Sequence, residues 1–144
     1  MYSIGDHDKF FCLQSCSKPL SYCLAYDEHG KDELHKHVGY EPSGRSFNAF
    51  VLNKQGLPHN PMINAGAIMV ASQIEKNKEP AKRFNKIKSF YSELSGNKPV
   101  GFDNSVFLSE QHHADRNLSL AYYMRENGAF QDDSLTPNEI NQNL

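Results

Sequence analysis

Gln14-Ser15-Cys16-Ser17-Lys18-Pro19-Leu20 follows directly on the apolar run Phe10 to Leu13. It sets a serine three positions before a lysine. At helical spacing, residues i and i+3 are neighbours, so the Lys18 amine can reach the Ser15 hydroxyl. An amine so placed can take the hydroxyl proton and make Ser15 a nucleophile. Pro19 has no N–H to give and is tolerated only in a first turn, so a helix must start near Ser15 to Lys18. It should run to about Asp27, with Leu20, Cys23 and Leu24 on one face and Gly30 near its stop. Ser15 then lies by a helix N-terminus, where free amides and the dipole favour developing negative charge. Ser15 or Ser17 serving only as a cap for that helix explains the same pattern. A second Ser-x-x-Lys, Ser95 to Lys98, stands in a Gly-containing turn and carries no function.

Downstream the chain reads Val38-Gly39-Tyr40-Glu41-Pro42-Ser43-Gly44, Phe47-Asn48, and Asn60-Pro61-Met62-Ile63-Asn64-Ala65-Gly66-Ala67-Ile68. Ser109-Glu110 and Asp115-Arg116-Asn117 come further on. In this order and spacing, from about Tyr2 to Gln131, the chain resembles the glutaminases, which hydrolyse L-glutamine to L-glutamate and ammonia. Cys12 to Cys16 and Pro58-His59-Asn60-Pro61-Met62 resemble the animal, mitochondrial branch. The resemblance implies a serine β-lactamase-like α+β fold, a helical cluster against an antiparallel sheet, of which this chain covers mainly the helices. It makes Ser15 and Lys18 catalytic, with Gln14, Ser15, Asn64, Glu110 and Asn117 binding substrate and Tyr123 a lesser candidate. No organic cofactor or metal is implied; phosphate is implied as an activator and a homotetramer as the assembly. The family also extends before and after residues 1–144, so the chain is expected to be a partial catalytic domain. A mitochondrial location would require a targeting segment that is not in this sequence.

Composition constrains the reading independently. The 144 residues are 38% hydrophobic and 22% charged, with net charge −2, and mean hydropathy is −0.66. One domain fits that length, and the charge gives no case for nucleic-acid or anionic-membrane binding. No apolar run approaches the roughly 20 residues that span a bilayer. Cys12, Cys16 and Cys23, odd in number, read as reduced thiols. His35, His37, His112 and His113 match zinc spacing only loosely, and no metal is expected.

Phe10 to Leu13 reads as a short strand and residues 38–58 as a loop with an apolar turn at Phe47, Phe50, Val51 and Leu52. By resemblance this loop lies near the active site and a subunit contact, with Ala49 and Val51 where mammalian kidney-type enzymes carry lysine and phenylalanine. Asn60 to Ile74 is small and apolar, suited to close helix packing, with the Asn64 amide in need of partners. An amphipathic helix over Ala81 to Leu94 presents Phe84, Ile87, Phe90, Tyr91 and Leu94, and Lys82, Lys86 and Lys88 make its solvated side. Asp103 or Asn104 should cap a helix running to about Asn127. If continuous, it sets Glu110 and Asn117 two turns apart on one face, fit for an α-ammonium and an α-carboxylate. A solvated polar face is the plainer account of that pair. Thr136-Pro137-Asn138-Glu139 is a capping box announcing one more helix.

Two other classes share part of the pattern. Penicillin-binding and β-lactamase relatives use Ser-x-x-Lys but also need Lys-Thr-Gly and Ser-Asp-Asn, which do not occur here. A non-catalytic glutaminase fragment, associating with full-length subunits or inert, would keep the motif face without its activity.

Overall fold

Asn64–Gln73 (α3) is the helix around which the others assemble, and its composition explains why. Ala65, Gly66, Ile68, Met69, Val70, Ala71, Ser72 and Gln73 are all buried, so it is apolar around most of its circumference and must be enclosed. In the computed structural model, which describes residues 2–130, the enclosure is helical. Ser17–His29 (α1) lies along one side of α3 and Asp115–Glu126 (α6) along another. Lys31–Leu34 (α2) adds Leu34 to the core, while Pro80–Leu94 (α4) packs on α1. Asn104–His112 (α5) has no buried residue. Leu24, Leu34, Val38, Ile68, Met69, Val70, Ile74, Leu120 and Met124 form the centre.

Among the described residues there is no strand. The expected α+β class is therefore seen here only as its helical part, and Phe10 to Leu13 is not a strand. Phe10 is 99% exposed and Phe11 79%. A strand is held by its ladder, and among the described residues there is no strand for these to pair with. Residues 131–144, which include the Thr136 capping box, lie outside the described residues.

The helix begun near Pro19 forms, preceded by a 3₁₀ turn at Gln14–Cys16. Pro19 falls in the first turn of α1, where a missing N–H costs nothing. Gly30, at φ 75°, ends α1 and donates its N–H to the Tyr26 carbonyl at 2.8 Å. Leu24 and Ala25 are the buried residues of α1, whereas Cys23 is exposed, so the inward face is turned slightly from the one expected.

On α4, Ile87 and Phe90 pack against the core as the amphipathic pattern requires, yet Phe84 and Leu94 are exposed. Its fully buried side chain is instead Arg83. That guanidinium donates to the Ala71 carbonyl at 2.6 Å and the Ile74 carbonyl at 2.9 Å. It thus occupies the open acceptors at the C-terminus of α3, where the dipole favours a cation. The second Ser-x-x-Lys is a helix stop: Ser95 Oγ donates to the Ser92 carbonyl at 2.8 Å, beside left-handed Gly96 and Asn97.

Asp103 caps α5 as expected, accepting from the Ser105 and Val106 amides. The helix does not continue to Asn127, however. It breaks at His113 and Ala114, and Ala114 is buried at the corner. His113 Nδ1 meets the Ser109 carbonyl at 2.7 Å, closing off the end of α5. The break lets α6 lay Leu120, Ala121 and Met124 into the core while α5 remains outside. Glu110 and Asn117 are consequently on two helices, not on one continuous face.

Candidate active site

The turn that carries Ser15 is strained at its entry. Gln14 has φ 48°, in the left-handed region that only glycine enters without cost. Holding it there costs about 1–3 kcal/mol. The chain then reverses: the Cys16 N–H donates to the Leu13 carbonyl at 3.0 Å, and Ser17 Oγ donates to the Gln14 carbonyl at 2.7 Å. Ser15 sits in the middle of this 3₁₀ turn, exposed, immediately ahead of α1. Its hydroxyl has no hydrogen bond among the described residues, and Gln14 likewise presents an exposed side chain.

Lys18, in the first turn of α1, is half-buried and directed at α3. Its Nζ donates to Asn64 Oδ1 at 2.7 Å and stands 5.8 Å from the centre of the Phe47 ring. Burial pushes the amine below the usual lysine range. No carboxylate pairs with it among the described residues to pull the other way. Desolvation without a counter-charge favours the neutral amine, the form that can accept a proton.

Asn64 is delivered by the Asn-Pro turn before it. Asn60 Oδ1 accepts from the Met62 N–H at 2.9 Å and the Ile63 N–H at 3.3 Å, and its Nδ2 donates to the Glu41 carbonyl at 2.9 Å. This Asx turn tethers the 38–58 loop and opens α3 at the next residue. The Asn64 N–H itself donates to the Phe47 carbonyl at 2.8 Å. With Asn64 Oδ1 accepting from Lys18, its Nδ2 is the donor left, and it reaches Asn117 Oδ1 at 3.1 Å. Lys18, Asn64 and Asn117 thus form one hydrogen-bonded line across α1, α3 and α6.

Of the residues singled out in the sequence, this line unites three, and the Ser15 turn abuts it along the chain. Glu110 stands exposed on α5 with no ion pair among the described residues. Tyr123 meets Phe50 edge-on, ring centres 5.8 Å apart. It helps line an open groove of about 720 Å³ with Ser119, Tyr122 and Arg125. Phe50 also lies under Arg116, 4.5 Å from its guanidinium carbon to the ring centre. The 38–58 loop therefore reaches the site through Phe47 and Phe50, two rings that read in sequence only as an apolar turn. Asn60-Pro61, a turn-initiating pair, was the available signal for what orients Asn64.

His35 is occupied: Nε2 meets the Tyr22 hydroxyl at 2.9 Å and Nδ1 the Val38 carbonyl at 2.8 Å. Among the described residues no group of three or more His, Cys, Asp or Glu could hold a metal ion, and no helix is long and apolar enough to cross a membrane.

The family model for glutaminase matches residues 1–140. The chain belongs to the glutaminase family. It is 55% identical over 130 residues to putative glutaminase 3 of Caenorhabditis elegans, covering 90% of this chain and 22% of that protein. To the mitochondrial liver isoform of glutaminase from Rattus norvegicus it is 43% identical over 129 residues, covering 90% and 21%. The crystal structure of a Bacillus glutaminase superposes with a TM-score of 0.83 at 33% identity, over 96% of this chain and 47% of that one. This glutaminase chain thus spans about a fifth of the length of the two animal relatives and about half of the bacterial one. The resemblance drawn from the Ser15 motif, the Asn60 to Ile68 segment and the Glu110 to Asn117 segment is correct, and its animal side is represented at 43% and 55% identity.

Proposed function

We propose that the domain to which this chain contributes hydrolyses L-glutamine to L-glutamate and ammonia, with Ser15 as nucleophile and Lys18 as its base. The observation that carries this is the half-buried Lys18 amine, held by Asn64 beside the exposed serine turn. A neutral amine has two hydrogens and one lone pair. One hydrogen is committed to Asn64 Oδ1, leaving the lone pair for the Ser15 proton.

Ser15 Oγ attacks the side-chain amide carbon as its proton passes to Lys18 Nζ. The negative oxygen that results faces the Ser15 N–H at the start of the helix. Collapse breaks the C–N bond, and the proton held by Lys18 leaves with ammonia. Water then attacks the γ-glutamyl ester, yielding its proton to Lys18; the ester C–O bond breaks as Lys18 passes that proton to Ser15 Oγ, restoring both groups and releasing glutamate. Gln14, Asn64, Glu110 and Asn117 orient the ammonium and carboxylate of the substrate, with Tyr123 in a lesser part. Selection of glutamine over asparagine follows from the span between serine and these clamps. Phosphate activation, a homotetramer and a mitochondrial location belong to the same reading of the whole protein.

Ammonia release from L-glutamine by the whole protein, with phosphate present and Ser15→Ala beside it, tests the proposal; residues 1–144 alone are expected to show little or no turnover. Turnover that falls at least about 10³-fold in the serine variant is expected. Turnover undiminished by Ser15→Ala would sink the acyl-enzyme mechanism.

A further inference from the structure

α1 begins without the usual cap. Its N-cap residue, Cys16, makes no side-chain hydrogen bond, and the chain before it is exposed and enters through the strained Gln14. Its local ties are those of Ser17, whose N–H and Oγ both donate to the Gln14 carbonyl, and bonds at an exposed helix start open readily. Here that turn carries Lys18 and directly follows Ser15, so its opening would carry off the pair the chemistry needs.

A tie from another helix adds to these. The Tyr91 hydroxyl of α4, 70 residues away in sequence from Ser21, lies 2.7 Å from Ser21 Oγ and 3.3 Å from the Ser17 carbonyl. A carbonyl can only accept, so the single Tyr91 proton goes to Ser17 and Ser21 Oγ is the donor to Tyr91. Ser17 and Ser21 are one turn apart on one face, and Lys18 projects about 100° around the axis from Ser17. The first turn is therefore gripped by Tyr91 on one side and, through Lys18 Nζ, by Asn64 on another. Ring packing alone would not require this, since a phenylalanine would fill the same space. Burial also keeps the Tyr91 hydroxyl protonated, raising it above the usual tyrosine range despite its two hydrogen bonds.

We propose that Tyr91 is a positioning residue for the Ser15–Lys18 pair, its hydroxyl tying the first turn of α1 to α4 and fixing the turn from which Lys18 reaches Asn64. This deepens the hydrolase reading above and rests on it. Tyr91→Phe removes one oxygen and keeps the ring; Ser21→Ala removes the second partner and leaves the bond to Ser17. With the turn loosened, water reaches Lys18 and its amine moves back toward the ordinary lysine range.

The test is the pH profile of glutamine hydrolysis by the whole protein, with 13Cε titration of Lys18 in the same proteins. Tyr91→Phe is expected to lower kcat about tenfold with little change in KM. The acid limb of the profile and the Lys18 titration should both move to higher pH, and Ser21→Ala should show a smaller change of the same kind. Wild-type kcat and pH profile in Tyr91→Phe, while Ser15→Ala abolishes turnover, would reduce Tyr91 to packing and overturn the proposal. If the whole protein shows no serine-dependent turnover, the hydrolase reading fails separately. The 13Cε titration then decides the positioning: a raised Lys18 titration in Tyr91→Phe upholds it, and an unchanged one overturns it.

Discussion

Gly66→Ala sets two general effects against each other, and the structure decides between them. Gly66 is in the second position after Asn64 on α3, and alanine is about 1 kcal/mol better than glycine inside a helix. On propensity alone the variant gains stability. A Cβ at Gly66, however, would lie 2.7 Å from the Asn60 carbonyl carbon and 3.0 Å from Pro61 Cα, and closer still to the Asn60 carbonyl oxygen. Ordinary carbon contacts are about 3.5–4.0 Å, so the Asn60-Pro61 segment would have to retreat by about 1 Å. Every atom in the way is backbone, and no rotamer change relieves it. Overpacking of this sort costs about 1–3 kcal/mol, with the upper end fitting a backbone clash. The net expectation is a loss of about 2 kcal/mol. At about 3 °C per kcal/mol, Tm falls by about 6 °C. Urea and thermal denaturation followed by circular dichroism measure both quantities. The retreat would also disturb the Asx turn that aims Asn64, so the Lys18–Asn64 bond should weaken with it. A Gly66→Ala chain as stable as the parent, or more so, would refute the close approach and leave helix propensity in command.

Two further outcomes follow from side chains buried around α3. Arg83→Met should cost at least about 2 kcal/mol in urea denaturation, because it strips charge-assisted donors from the Ala71 and Ile74 carbonyls at a buried helix end; a loss under 0.5 kcal/mol would show that the cap contributes little. His37 is 6% exposed, its Nδ1 has no hydrogen-bond partner among the described residues, and burial first and Lys76 second push its imidazole below the ordinary value of 6.5, with Glu33 opposing and His29 and Lys36 adding to the push. The unfolded chain therefore binds the proton at a pH where the folded one resists it. Stability from this residue is unchanged above 6.5 and falls as pH drops from there toward the lower folded value. Between pH 8 and 5 the urea midpoint should drop more steeply in the parent than in His37→Gln, and parallel slopes would contradict that account.

Local chemistry was legible in the sequence wherever a residue acts on its own neighbours. Pro19 and Gly30 bracketed α1, Asp103 announced its cap, and the small apolar run after Asn60 marked a helix that needs enclosing. Errors arose where the deciding partner lies far along the chain. Phe10 to Leu13 has strand composition, but a strand exists only with a neighbour to pair with. Glu110 and Asn117 have helical spacing, but α6 turns into the core at Ala114 and parts them. On α4, the apolar stripe named Tyr91 correctly as an inward residue and said nothing of what its hydroxyl would meet.

By itself the sequence determined the family, through an ordered set of motifs whose residue types and spacing are far more specific than any one of them. It also marked residues whose side chains suit the proposed chemistry, because nucleophile, amine and amides are properties of side chains. Only the tertiary structure decided which of them meet. Lys18 bonds Asn64, 46 residues on, and Asn64 bonds Asn117, 53 further. Hydrogen bonds of that reach depend on where three helices come to rest against one another. Their resting places are set by buried area and close backbone contact, which no single stretch of chain contains.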